Sequence, residues 1–413
     1  MEKFYFNQLE EFYPEKVEIL NWLKDELDER IYYYGPNFKY PHDIKQQLRS
    51  KFDLSNVFRF IKYAYFKVSI NYKGAIISNA YFNVGNKISE MGYKVLSPPW
   101  VTGGLSQNGL KTICLFGQSD FNYFLSDEFE KKIKALRDEL REFLINNKTP
   151  FVLLSNDVAP IHRLIIDICR EIGTPTGVFL HGLPACYNAV DGSRADYLFV
   201  WGEKIKDNFV RYGAKTNIVV TGHPSFSCYK SEHNASRDII VLSQAISGSQ
   251  SQSDRYQIED RGLSVQYIYS VEKVLKKMGY TKAVLRVHPS ENPMWYEEIM
   301  DKSFYMIDKR PLKETLCYAN FIVGPISTVI LDAVYSEIPY YSFIIDPKTN
   351  PNAYEIVPPF NNISFPASFS EDILEDNIRK NNYVKKEHFD GYINSEFDIS
   401  KIVSLVKNIE NIV

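Results

Sequence analysis

Between residues 73 and 345, short apolar runs alternate with helical stretches, and that alternation constrains the chain more than any single motif. "KGAIISNAYF" is a β-like run, "NVGNKISEMGY" a short helical stretch and "KVLSPP" a second strand candidate. Strand, helix and strand in succession make a βαβ unit, and repeated units build a parallel sheet. The rhythm continues with "LKTICLFG" read as a strand and "SDEFEKKIKALRDELREFLINN" as the clearest amphipathic helix. "PFVLLSND", "TGVFLHG", "ADYLFVWGE" and "NIVVTGHP" read as strands, with "APIHRLIIDICREIG" and "KIKDNFVRYG" as helices among them. A polar stretch, "SCYKSEHNASR", then interrupts the pattern. A second series opens with "DIIVLSQA" and runs through "LSVQYIYSVEKVLKKMG", "KAVLRVHP", "NFIVG", "ISTVILDAVYSE" and "PYYSFII". The chain is therefore expected to be α/β, with two Rossmann-like domains whose parallel sheets face a cleft, plus N-terminal helices. The expected divisions are a helical segment at 1–72, a first Rossmann-like domain at 73–230, a second at 231–395 and a C-terminal helix at 396–413.

Charge and cysteine usage narrow the classes of function. A net charge of −3 gives no electrostatic footprint for nucleic acid. The five cysteines are scattered without a C-x-x-C spacing, which argues against a zinc site or a disulfide framework and fits a reducing cytoplasm. No apolar run approaches the roughly 18 residues of a membrane span, and the N-terminus lacks the basic-then-apolar order of a signal peptide. The expectation is a cytoplasmic protein, soluble or peripheral to the inner membrane.

In open parallel sheets ligands bind beyond the carboxyl ends of the strands. Polar or small residues stand at nearly every such end here: Asn79, Asn156-Asp157, His181-Gly182, His223-Pro224, Ser243-Gln244, Arg286 with His288-Pro289, and Gly324 followed by Ser327-Thr328. "GPISTVILDA" places Ser327 and Thr328 in the first turn of a helix, where amides and hydroxyls suit a phosphate, with Asp332 further along within reach of a ribose hydroxyl. The same residues also fit a plain helix cap and a solvated acid. His288 stands where an imidazole can donate to a phosphate oxygen, and Pro289 fixes the turn. Ser243 and Gln244 are candidates for phosphate or base contacts, and Arg286 for a donor carboxylate or a local ion pair. The Ser/Gln/Gly tract after them is either a lid or a loose loop.

His288-Pro289 after one strand and Ser327-Thr328 opening a later helix resemble the nucleotide-binding domain of GT-B glycosyltransferases. More narrowly, they resemble the bacterial sialyltransferase, Kdo-transferase and polyol-phosphate-transferase groups. "NDVAPIHRLIIDICREIGTPTGVFLHG" looks similar to capsule and lipopolysaccharide biosynthesis proteins of that fold. The resemblance assigns the two motifs to the phosphate of a cytidine nucleotide. It implies a metal-independent transferase moving a nonulosonic acid (Kdo, sialic, legionaminic or pseudaminic type) from a CMP-sugar donor to a surface-polysaccharide or lipooligosaccharide acceptor. No cofactor is expected, and no Asp-x-Asp pair offers a metal site. Its partners would be the nucleotide-sugar donor and a glycan or glycolipid acceptor. Asp157 and His181, on one rim of the first sheet, are the candidates to deprotonate the acceptor, and Asp157 alternatively to attack the anomeric carbon. The plainer alternatives are that Asp157 caps the helix near Pro160 and that His181 bonds a loop. A CDP-dependent polyol-phosphate transferase, a nucleotide-sugar epimerase and a non-catalytic glycan-binding scaffold of the same fold are the rival readings.

Overall fold

A computed structural model describes residues 11, 13–23, 70–102, 104–118, 121–157, 159–184, 187, 195–225, 238–243, 258–288, 291, 293–345, 357–394 and 396–410. The helices expected over 24–69, Gln244 with the tract that follows it, and Pro289 lie outside these residues.

Two six-stranded sheets, all of whose ladders are parallel, carry the architecture. The first contains β1 (Ile76–Ser78), β2 (Val95–Leu96), β3 (Val152–Leu154), β4 (Thr176–Phe179), β5 (Tyr197–Val200) and β6 (Asn217–Val220), in the order β2-β1-β3-β4-β5-β6. The second contains β7 (Asp238–Leu242), β8 (Ala283–Arg286), β9 (Tyr305–Ile307), β10 (Ala319–Gly324), β11 (Tyr340–Phe343) and β12 (Ala367–Ser368), in the order β12-β11-β10-β7-β8-β9. Helices connect the strands: α1 (Val84–Glu90), α2 (Gln107–Gln118), α3 (Asp127–Asn147), α4 (Pro160–Ile172) and α5 (Glu203–Arg211) in the first lobe. The second lobe has α6 (Ile258–Lys277), α7 (Pro293–Ile299), α8 (Leu312–Tyr318), α9 (Val329–Tyr335) and α10 (Glu371–Arg379), and α11 (Ser400–Glu410) ends the chain. The two-domain α/β reading of the sequence is what the chain forms.

The strands are buried as parallel strands covered on both faces must be. Every residue of β1, β3 and β4 is buried. In β7 the alternation of a strand sorts the side chains: Ile239 and Val241 pack beneath α6 and α10, while Ile240 and Leu242 face the core shared with the first lobe. Helix α3 buries Phe129, Ile133, Leu136, Leu140 and Leu144, a stripe at helical spacing, and Ser126 caps its start by accepting from the Phe129 N–H.

One element departs from the sequence expectation. "LKTICLFG" is the second half of α2 and not a strand. Its buried positions, with the residues just before it, are Leu105, Gly109, Thr112 and Phe116, spaced by four, three and four. That is the period of a helix lying on a neighbour, here α3, where Phe116 meets Phe129 edge-on at 6.1 Å.

The C-terminal segment crosses from the second lobe to the first. Lys204 donates its backbone N–H to Gly391, Asn394 to Trp201, His223 to Asn394, and Asp398 to Thr221, all at 2.7–3.0 Å. Helix α11 then lies on the first lobe, with Ile402, Val403 and Val406 buried and the Lys401 ammonium on the Val220 carbonyl at 2.7 Å.

Candidate functional site

Parallel ladders put every carboxyl end of a sheet on one rim. β3 and β4 are neighbours, with Leu154 opposite Val178, so Asp157 and His181 follow adjacent strands. β10, β7 and β8 are likewise adjacent, so Ser327-Thr328, Ser243 and His288 share the rim of the second sheet.

The two rims meet. The Leu183 N–H donates to the Thr328 hydroxyl at 3.4 Å, and a Cβ on Gly182 would stand 3.0 Å from the same oxygen. Gly182 thus sits at a close approach between the lobes, where a side chain would press on the Thr328 hydroxyl. His181 precedes it and is exposed on the rim, its ring 5.3 Å from that of Tyr81, which follows β1. Partial desolvation holds the His181 pKa below its ordinary value, so the imidazole is neutral and able to accept a proton at neutral pH.

The loop bearing Asp157 is held by a network that joins two of the strand-end asparagines to buried His162, the one member that the sequence reading passed over. Asn79, at the end of β1, accepts from the Ser155 N–H at 2.9 Å and bonds His162 Nε2 at 3.1 Å. His162 Nδ1 lies 3.1 Å from Asn156 Oδ1, which also accepts from the Ala159 N–H at 2.9 Å. Asn156 therefore organises the start of α4. Ala159 is its N-cap residue. Asp157 itself is half-buried beside this frame.

On the second rim, the Ser243 hydroxyl donates to the buried Glu291 carboxylate and accepts from the His288 N–H at 2.8 Å. Tyr296 donates to the other Glu291 oxygen at 2.7 Å, and the Glu291 N–H closes a turn onto the His288 carbonyl at 2.9 Å. Ser243 thus fixes the His288 turn with its own hydroxyl, and the His288 side chain is exposed with its pKa lowered by desolvation. Glu291, missed in the sequence, had one signal: an acid three residues after the histidine, where the turn returns.

Arg286 takes the local option. Its guanidinium donates to Asp308 at 2.9 Å, to the Arg310 carbonyl at 2.8 Å and to Thr315 at 3.0 Å, which commits it within the lobe. Ser327 and Thr328 precede α9 rather than occupying its first turn. Thr328 is the N-cap residue without a side-chain cap bond, its hydroxyl being turned to Leu183. The difference arises because three-residue turns, from Ile330 to Ser327 and Leu331 to Thr328, lead into the helix. Gly324 is buried, and a Cβ there would overlap the Tyr340 hydroxyl, which donates to the Pro325 carbonyl at 2.6 Å. Asp332 lies half-buried near the start of α9. His223 is fully buried at the hinge, its Nδ1 accepting from the Ser225 N–H at 3.1 Å, and it serves the packing there.

Among the described residues no helix is long and apolar enough to cross a membrane. No protein-family model matches the chain, and no curated protein matches it. Solved structures are similar in fold. UDP-GlcNAc 2-epimerase from Neisseria meningitidis bound to UDP-GlcNAc is 13% identical, with 81% of this chain and 98% of that one covered and a TM-score of 0.47. MurG of Acinetobacter baumannii is 10% identical over 81% and 99% of the two chains, with a TM-score of 0.45. A variant of the wall teichoic acid polymerase TagF is 12% identical over 91% and 100%, with a TM-score of 0.45. Each of these is a likeness of fold alone.

Proposed function

We propose that this chain is a GT-B-type glycosyltransferase that moves a nonulosonic acid from a CMP-activated donor to a glycan acceptor. The observation that carries the reading is the meeting of the two rims: Leu183 bonds Thr328 across the lobes, so the loop that bears His181 lies against the Ser327-Thr328 turn. The second lobe would hold the nucleotide, with Ser327, Thr328 and the His288 turn braced by Ser243 and Glu291 around its single phosphate. A neutral histidine contributes an N–H donor there. The first lobe would hold the acceptor. As the acceptor oxygen bonds to the anomeric carbon, the carbon–oxygen bond to the phosphate breaks, CMP leaves with the electron pair, and Asp157 or His181 takes the acceptor proton.

The test is a thermal-shift panel of CMP, CDP, UDP and GDP on the full-length protein. Ligand at about 100 times its Kd stabilises by about 2.7 kcal/mol, which a melting curve resolves. CMP is expected to give the largest shift, and preference for UDP or GDP would overturn the cytidine assignment. Asp157→Asn and His181→Asn, made separately, should keep the CMP shift. At least one should release CMP from CMP-N-acetylneuraminic acid roughly 100-fold or more slowly, the usual worth of a general base. Unaltered turnover in both would remove the base assignment.

A further inference from the structure

The loop after β1 holds two consecutive residues in a backbone conformation that side chains disfavour. Phe82 and Asn83 have φ of 59° and 55°. For a bulky aromatic residue the left-handed region is an outlier, and such conformations persist only where the surroundings impose them, often at ligand clamps. The surroundings here are aromatic. The Phe82 ring packs edge-on against His223 at 4.6 Å, Trp201 at 6.1 Å and Phe179 at 6.2 Å. The Trp201 indole N–H donates to the Leu180 carbonyl at 3.1 Å, immediately before His181. The β1 loop and the β4 loop are therefore locked to one another through Phe82 and Trp201.

The consequence of this turn falls on the preceding residue. With Phe82 driven inward, Tyr81 is turned outward: it is 50% exposed, and its ring lies 5.3 Å from His181 at an interplanar angle of 40°. A tyrosine ring offers an apolar face and, at one end, a hydroxyl that donates and accepts. A pyranose is the complementary shape, with C–H bonds on a face and hydroxyls around its edge. We infer that Tyr81 is a platform on which a pyranose ring of the acceptor stacks, setting one of its hydroxyls toward His181. The inference rests on the reading that the first lobe takes the acceptor. A nucleobase would also stack on a tyrosine, but the groups suited to the nucleotide stand on the other rim.

The experiment is saturation-transfer NMR of the full-length protein in the presence of CMP, with methyl β-D-galactopyranoside, methyl α-D-glucopyranoside and lactose as probes at millimolar concentration. Ring C–H protons of at least one probe should receive saturation from the wild type, Tyr81→Phe and Tyr81→Trp. Tyr81→Ala should weaken that binding by up to roughly tenfold, the scale of one aromatic contact. The CMP thermal shift should be equal in all four proteins. No saturation of any probe by the wild type, or undiminished saturation in Tyr81→Ala, overturns the inference, as does a CMP shift lost in Tyr81→Ala. Failure of CMP to stabilise the wild type would instead overturn the nucleotide reading. A Tyr81-dependent saccharide signal would survive that failure as a sugar subsite.

Discussion

Both ring nitrogens of His162 are bonded, and the partners fix its tautomer. Asn156 Oδ1 can only accept, so Nδ1 carries the proton; the Asn79 oxygen is taken by Ser155, so the Asn79 amide donates to Nε2. Protonating Nε2 would set two donors against each other. Burial, the larger influence, pushes the pKa down to about 4. At His223 burial pushes it down to about 3. Above the ordinary histidine value near 6.5 both are neutral folded or unfolded, and neither opposes folding. As the pH falls below it, the unfolded chain binds protons that the folded chain refuses, so stability declines with falling pH through this window. His162→Gln should flatten the decline by up to about 1.4 kcal/mol per pH unit between roughly pH 6 and 4.5, read from urea midpoints at each pH. A variant with the wild-type slope would contradict the neutral tautomer. What was not legible beforehand is that His162 joins Asn79 and Asn156: both asparagines stand at strand ends in the sequence, but the histidine lies within a helix and no spacing reports the contact. Asp157, His181 and Ser327 were legible for the opposite reason: a parallel sheet puts all its strand ends on one rim, so the pattern of elements alone locates them.

At the scale of elements, α2 shows where an apolar run misleads. "LKTICLFG" is dense in strand-forming residues, and over eight residues a buried strand and a buried helix look alike. What decides is upstream. The Ser106 hydroxyl accepts from the Gly109 N–H at 3.0 Å and donates to Glu139 of α3 at 2.8 Å, and Glu139 also receives the Ser106 N–H. The helix start is therefore a joint between two helices, visible in sequence only as a serine that caps. Ser106→Ala should lower stability by about 1 kcal/mol, as loss of an N-cap does. Glu139→Gln should lower it less, since the amide oxygen still accepts from the Ser106 N–H and the amide NH2 can donate to the Ser106 hydroxyl in place of the lost second acceptor. Equal losses, measured by urea denaturation, would place the effect in the carboxylate charge rather than in the cap.

Across the whole molecule, the ties that the C-terminal segment makes to the first lobe run largely through the backbone and leave little trace in side-chain chemistry. The terminal helix was recognisable as amphipathic, but the surface it covers was not, because the apolar stripe of α11 specifies burial and not a partner. The crossing segment reaches the first lobe by pressing its carbonyls against Gly222, where φ is +79° and a Cβ would overlap the Glu396 oxygen and come within 3.1 Å of Asn394 O. Gly213 has a similar φ of +85° with nothing within 4 Å of its Cβ position. The pair separates backbone strain from contact. Gly213→Ala should cost about 1–2 kcal/mol, the left-handed penalty alone. Gly222→Ala should cost roughly 2–4 kcal/mol, because overpacking adds to that penalty. Hydrogen exchange should report the location of the added loss: faster at the His223, Asn394 and Asp398 amides in Gly222→Ala and unchanged there in Gly213→Ala. Equal destabilisation by the two variants would mean that the crossing segment yields without resistance, and that the alignment of His181 with Thr328 does not depend on it.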